Sequence, residues 1–363
     1  MKKIKFSSTN EQKQFAFNVR KNVNTYFEEN GISTKGNLSM VIKTMVMLSL
    51  YIVPFIIILT IPINAWIGLV LVIIMGIGVA GIGMGVMHDA VHGAYSNVKW
   101  LNKFLGGTLY LLGTNVFNWE IQHNILHHTH TNINGMDEDI NSKGPIRLSQ
   151  YAPLKKIHKY QHIHAFLFYG LMTLSKLVND FSQLIKYNKA GITRKNGINP
   201  YYEFSKMVVY KLLYLFVIIG LPIWLTDFSW WQVIAGFLIM HWVTGCILST
   251  IFQMAHVVEG ADQPMPNENG VIENDWAIHQ LNTTSDFGRN NRFLNWFIGG
   301  LNFQIEHHLF PNICHVHYRK ISPIVEQTAH ELGLTYNLKP TFFNAFASHI
   351  RKLKELGQPS KLA

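Results

Sequence analysis

Two stretches of this chain, residues 44–98 and 212–288, contain no lysine or arginine, although 31 such residues occur elsewhere. Within the first, Thr44–Ile61 and Ala65–Met87 are uncharged apolar runs, each near the roughly 20 residues needed to cross a bilayer core. Within the second, Leu212–Leu225 and Trp231–Thr250 repeat the pattern with Asp227 in the gap, and the shorter run reaches spanning length when Lys211 snorkels. The pattern predicts four membrane helices in two hairpins. Buried helices of a large soluble core are the competing reading. A hydrophobic fraction of 48% does not separate the two, being ordinary for a globular protein, whereas the placement of charge does.

Charge also orients the spans. The turns Pro62–Asn64 and Thr226–Trp230 carry no Lys or Arg, while residues 1–43 carry eight, 88–205 a dozen and 257–363 nine. Basic flanks stay in the cytoplasm, which puts both termini on that side. The expected segments are a cytoplasmic amphipathic N-terminus (1–43), a first transmembrane hairpin (44–87), a cytoplasmic or interfacial region (88–205), a second hairpin (206–256) and a cytoplasmic C-terminal region (257–363). Leu101–Phe117, broken by Lys103 and three glycines, suits a helix in the interface, as does His158–Val178. Gly260–Asn274 reads as a surface loop. The opening MKKIKFSSTNEQKQ is polar, so insertion rests on the first membrane helix and not on a cleavable leader. The net charge of +10 fits this bias and anionic lipid; nucleic acid is not an expected partner, because no recognition module accompanies the cations. Cys246 and Cys314 fall on opposite sides of a membrane boundary and form neither a disulfide framework nor a thiolate metal site.

Histidines carry the chemistry. They bunch in HDAVH (His88, His92), HNILHH (His123, His127, His128) and QIEHH (His307, His308), with His256 apart. A single H-x-x-x-H is weak evidence for metal, but scattered histidines have no reason to gather three times. Imidazole is the commonest protein ligand for borderline transition metals, and seven clustered rings exceed what one ion takes, so two ions are expected. Residues four apart share a helix face, which lets His88 and His92, or His123 and His127, converge. His256 follows directly from the fourth span as HDAVH follows from the second. About 1.5 Å of rise per residue carries it some 9 Å beyond Trp231–Thr250, to the depth of the other clusters.

HDAVHGAYS, WEIQHNILHHTHTN followed by DED, FQMAH and GGLNFQIEHHLFPN together resemble the membrane-bound fatty acid desaturases, from about residue 60 to about 325. The likeness is to bacterial acyl-lipid or acyl-CoA desaturases of the front-end type, in which glutamine replaces the first histidine of the third box. The resemblance implies a di-iron site on His88, His92, His123, His127, His128, His307 and His308, with His256 as an off-box ligand. Gln304 then touches iron through water or orients a neighbour; His130 departs from the family pattern, and it and His315, close to the boxes in sequence, are expected to support the ligands from behind. It further implies O2 as co-substrate, a fatty acyl substrate and a bacterial plasma-membrane enzyme whose site faces the cytoplasm. No His-Pro-Gly-Gly haem motif opens the chain, so electrons are expected from a separate ferredoxin or cytochrome b5-like protein.

Ligand choice and reaction agree. An unactivated methylene has no accessible pKa, so no acid–base side chain can remove its hydrogen; the task calls for an oxidant generated from O2 at a metal, and catalytic residues beyond the metal centre are not expected. Asp89, Glu120, Asp137, Asp139 and Glu306 are candidates for orienting ligand imidazoles through their second ring nitrogen, with Asp89 and Glu306 favoured because they lie inside boxes. The expected activity is insertion of a cis double bond into a fatty acyl chain, and the resemblance of the QIEHH box implies a position on the carboxyl side of an existing one. A hydroxylase or ketolase would begin with the same hydrogen abstraction. A haem-binding electron carrier would leave the vicinal pairs 127/128 and 307/308 unexplained, and a metal transporter would place its histidines within the bilayer.

Overall fold

The computed structural model of the protein describes residues 4–141 and 144–359. The extreme ends of the first and last expected segments, and residues 142–143 of the middle one, lie outside the described residues. The protein is mostly helical. Among the described residues four helices are long and apolar enough to cross a membrane: α2 (Leu38–Thr60), α3 (Ala65–Val91), α8 (Pro200–Leu225) and α9 (Trp230–His256). Each begins or ends beyond its apolar run, because backbone capping sets a helix end and hydropathy does not. The Asn64 side chain accepts from the backbone N–H groups of Trp66 and Ile67 to start α3. Asn199 does the same ahead of Pro200, whose fixed φ suits a first turn, and Ser229 and Gln232 form a capping box for α9.

The spans pack through small residues, as lipid-immersed helices do when close backbone approach replaces hydrophobic drive. A Cβ on Gly78 would lie 2.8 Å from the Leu50 backbone of α2, and one on Gly76 the same distance from the Met240 carbonyl of α9. α3 therefore runs between α2 and α9. His241, midway along α9, spends its polarity on Tyr214 of α8 (2.7 Å) and on Thr173 (2.9 Å) of α7 (Met172–Lys189), the helix that follows α6 (Gln161–Tyr169).

A second core lies at the histidine-bearing end. The N-terminal helix α1 (Asn10–Glu29) buries Phe15, Val19, Val23 and Phe27, a spacing of four that lines one helix face. That stripe packs with α10 (Trp276–Thr283), α12 (Gln304–Leu309) and α13 (Tyr318–Glu331). The wholly helical expectation needs one small correction. Two parallel strand pairs of two residues each tie distant loops: β1 (Lys5–Phe6) with β2 (Val271–Ile272), and β3 (Asp286–Phe287) with β4 (Leu338–Lys339). The first pair anchors the loop expected over Gly260–Asn274.

The segment read as one interfacial helix over Leu101–Phe117 is broken. α4 (Lys99–Gly106) passes into a 3-10 turn ending at Gly113 (φ +70°), and α5, residues 116–130, then starts with Asn115 as its cap. Gly299 is the tightest turn near the site. Its φ is +63°, and a Cβ there would stand 2.3 Å from the Met84 carbonyl of α3. Gly299→Ala is therefore expected to destabilise the detergent-solubilised protein by about 2 kcal/mol or more, read as a lowered unfolding temperature.

Candidate metal centre

Two of the histidine-bearing helices carry a π-helical stretch, one just ahead of His88 and one that includes His123 and His127. Ile82–Met87 of α3 and Glu120–His127 of α5 are π-helix, with hydrogen bonds to the fifth residue instead of the fourth. The wider turn lets both His127 and His128 flank the direction of His123, which the four-residue spacing alone would not. Trp119 packs against the His123 ring at 4.4 Å between centroids, and Phe252 against His127 at 5.1 Å.

Four chain segments bring eight rings into one buried cluster. Donor nitrogens of His88, His92, His123 and His307 lie within 4.8 Å of one another, and those of His127, His256 and His308 form a second set on the same criterion. His128 stands between the sets, its ring centroid 4.8 Å from His92 and 4.4 Å from His308. His256 is the last residue of α9, 4.7 Å from His127 and 5.0 Å from His308 between centroids.

The donor set fits transition-metal ions. His92, His127, His128, His256, His307 and His308 each bury an Nε2 that has no hydrogen-bond partner, while His88 and His123 place their Nε2 atoms 3.1 Å apart. Burying six unpaired imidazole nitrogens without something to bind is expensive. The opposite ring nitrogens explain the tautomers. His127 Nδ1 donates to Asp137 Oδ2 (3.0 Å) and His308 Nδ1 to Gln280 Oε1 (2.8 Å). His307 Nδ1 lies 3.3 Å from the Tyr318 hydroxyl, which spends its own proton on the Phe310 carbonyl. A proton held at Nδ1 leaves Nε2 bare.

Asp137 does more than hold His127. The same oxygen accepts the backbone N–H of Asn132 (2.9 Å), and Asn132 adopts φ +59°, alone among the described non-glycine residues in the left-handed region. Its side-chain amide lies within 3.1 Å of the carbonyls of His256, Asp262 and Thr283. One strained residue thus joins the end of α5 to the end of α9.

The remaining expected residues fall as follows. Asp89 meets His315 Nδ1 (2.8 Å) and the Cys314 thiol (2.9 Å), and reaches His88 only at 4.0 Å. Asp139 lies 3.6 Å from His127 Nδ1 and 3.8 Å from His123 Nδ1. Gln304 is buried beside His256. His130 is only partly buried and stays outside both donor sets, and Glu120 contacts no histidine of the cluster. The expectation for Glu306 needs correcting: its carboxylate turns from the imidazoles to the Tyr336 hydroxyl (2.8 Å), which also bonds Asp286 (2.7 Å). On α12 it precedes His307 by one residue, about 100° around the axis, so it faces away from the rings that His307 and His308 present. Burial pushes both acids above the ordinary carboxylate range, Glu306 further because Asp286 adds its charge.

Sequence reasoning passed over Gln280, Tyr318, Asn132 and Lys43. The last is a fully buried lysine of α2 whose amine contacts His315 Nε2. It continues a chain from Asp89 through His315 into the first span. In the Asp89, Cys314 and His315 group, that amine and the mutual hydrogen bonds already engage Asp89 Oδ2, the Cys314 thiol and both His315 ring nitrogens.

Burial and neighbouring imidazoles push His92, His123, His128, His307 and His308 well below the ordinary value of 6.5. Burial also opposes the charged form of His127, but the carboxylates of Asp137 and Asp139 overcome it and hold that ring above 6.5. The five depressed groups stabilise the metal-free fold above their unfolded value and lose that contribution as pH falls through it. His127 acts the other way: its contribution is complete below 6.5 and fades as pH rises through its raised value. Five outweigh one, so the metal-free protein is expected to melt at a markedly lower temperature near pH 5 than near pH 7.5, by thermal scans in detergent.

Four helices of spanning length thus carry at one end a buried polyhistidine cluster whose donor set fits metal ions. The family model for fatty acid desaturases matches residues 64–340. The chain is 34% identical to the sn-1 linoleoyl-lipid 6-desaturase of Synechocystis sp. over 99% of both proteins. It is 32% identical to that of Arthrospira platensis, over 94% of this chain and 92% of the relative. It is 34% identical to an acyl-lipid (8-3)-desaturase of Physcomitrium patens, over 96% of this chain and 72% of the relative. The chain belongs to the fatty acid desaturase family, and its activity is desaturation of fatty acyl chains.

Proposed function

We propose that His88, His92, His123 and His307 would hold one iron and His127, His256 and His308 a second, with His128 completing the set between them. The six orphaned Nε2 atoms carry this reading. The irons, when bound, supply the O2-dependent oxidising power that removal of hydrogen from an unactivated methylene requires. The chain's own residues do the rest. Asp137, Gln280 and Tyr318 hold protons at Nδ1 and so fix ring orientation; Asp89 and His315 brace the His88 turn; Trp119 and Phe252 wall the rings off from water. Glu306 and Asp286 remain outside the ligand set.

In this reading α2 with α3 and α8 with α9 are two hairpins hung from a cytoplasmic helical cap. The segment boundaries stand near 43, 87, 205 and 256, and the absence of Lys and Arg from the turns at 62–64 and 226–230 supports the orientation. Electrons come from a separate ferredoxin or cytochrome b5-like protein. The substrate is an acyl group that already carries a double bond, and the new cis bond enters on its carboxyl side, as the names of the cyanobacterial relatives indicate for those enzymes. Expression in a host supplied with linoleate tests this. The expected product carries its added double bond between the existing one and the carboxyl group; a bond added on the methyl side, or a hydroxylated product, would refute it. Metal analysis after iron-replete growth should find about two irons per chain, and zinc alone would overturn the metal assignment.

A further inference from the structure

Beside Phe303, the residue that precedes α12, lies a pocket of about 430 Å³ with eight lining residues, Arg289, Arg292, Arg319, Lys320 and Ser322 among them. Four of its eight walls are cations and none is an acid. Arg289 is already engaged, bonding Ser322 (2.6 Å) and Glu326 (2.8 Å). Arg292, Arg319 and Lys320 are exposed and have no ion pair among the described residues. Three cations without ion pairs around one concavity make its potential positive and favour an anion among them.

The pocket's surroundings place it at the bilayer surface. Arg292 opens the short helix α11 (Arg292–Phe297), where Phe293 projects with 74% of its surface exposed. Trp296 of the same helix lies 5.7 Å beneath the Lys43 amine, near the histidine-side end of α2. An exposed aromatic beside cations at a span's end is the arrangement of an interface that meets anionic headgroups. Phe303, the inner wall, immediately precedes α12, and its carbonyl accepts the backbone N–H of His307 (2.9 Å). One wall of the pocket therefore lies a single helical turn along the chain from a histidine of the cluster.

We infer that this pocket seats the phosphate of the acyl carrier. The inference rests on the reading of the chain as an acyl desaturase and names what it grips. Guanidinium groups match phosphate oxygens in bidentate fashion, and a concavity of this size suits a phosphorylated small molecule better than the flat face of a protein. Anchoring the carrier at a wall one helical turn from a histidine sets how far along the acyl chain, counted from the carboxyl end, the reacting carbons lie. The phosphate belongs to coenzyme A or to a phospholipid headgroup, and both present the same chemistry to these residues.

The test uses the full-length, iron-loaded protein in nanodiscs, with Arg319→Gln/Lys320→Gln and, independently, Arg292→Gln. Arg194→Gln/Lys195→Gln, exposed and remote from the pocket, controls for net charge. Binding of pyrophosphate and of coenzyme A is measured by calorimetry, and KM is measured for acyl-CoA, for acyl phosphatidylglycerol and for an uncharged acyl galactolipid. A KM about tenfold higher for acyl-CoA alone, in the pocket variants and not in the control, supports the pocket with coenzyme A as source. The same rise for phosphatidylglycerol alone supports it with the lipid as source. Unchanged KM for both, with unchanged pyrophosphate binding, overturns it. Turnover that falls only with a protein electron donor and recovers with a chemical reductant also overturns it, in favour of donor docking. If the wild type desaturates none of the three substrates, the enzymatic reading fails, while pyrophosphate binding that weakens in the pocket variants still upholds the anion site.

Discussion

His256→Ala loses detectable product and about half of the bound iron. Outside every box, this residue would pass in a motif scan for a satisfied histidine at a helix end. Its ring nevertheless stands 4.7 Å from that of His127 and 5.0 Å from that of His308, and its Nε2 is buried without a partner. With His256 gone the second donor set keeps two of its three members. Two imidazoles do not retain an ion through purification as three do, so loss of metal at that set is expected alongside an intact first one. The comparison is His241→Ala in the same helix. Removing its bonds to Tyr214 and Thr173 weakens packing between α7, α8 and α9 but leaves iron content near that of the wild type. Metal analysis of the two variants side by side decides the matter, and full iron with near-normal product in His256→Ala would make that residue structural.

Asp137→Asn produces the second large effect, a fall of about 10–100-fold in iron affinity and in turnover. The side chain keeps its size, so packing hardly changes. What is lost is the charge that holds a proton on His127 Nδ1, together with the acceptor that keeps Asn132 in its left-handed turn. A neutral amide can present its NH2 group to His127 and so favour the tautomer that turns a proton toward the cluster. Iron titration of the metal-free variant, followed by its absorption spectrum, measures the change; affinity within twofold of the wild type would show that His127 orientation does not depend on Asp137.

The spans were legible because charge placement reports a bilayer over tens of residues. Their ends were not, since Asn64, Asn199 and Ser229 set them through local capping hydrogen bonds that leave no trace in an apolar pattern. Histidine spacing identified the residues that converge, but not how they divide into two groups. That division depends on the approach of four segments from distant parts of the chain. Among the carboxylates, proximity in sequence misled for Glu306, whose direction is fixed by its place on α12. Gln280 and Tyr318 belong to no motif at all: each reaches its histidine only because α10 and α13 share a core with α1. Lys43 too belongs to no motif, and only tertiary contact reveals it against His315.

The π-helical stretches give chain length itself a chemical meaning. Each holds more residues per turn than the regular helix around it, so the heading of His88 and His92 depends on a small local surplus within Ile82–Met87. Winding those same residues regularly would add about 100° of turn and swing both rings around the axis, away from the other six, with no change in any residue that meets them. The count of amino acids between Asn64 and His88 is thus as much a part of the catalytic apparatus as the imidazoles, and the same count wound regularly throughout would fail for want of phase.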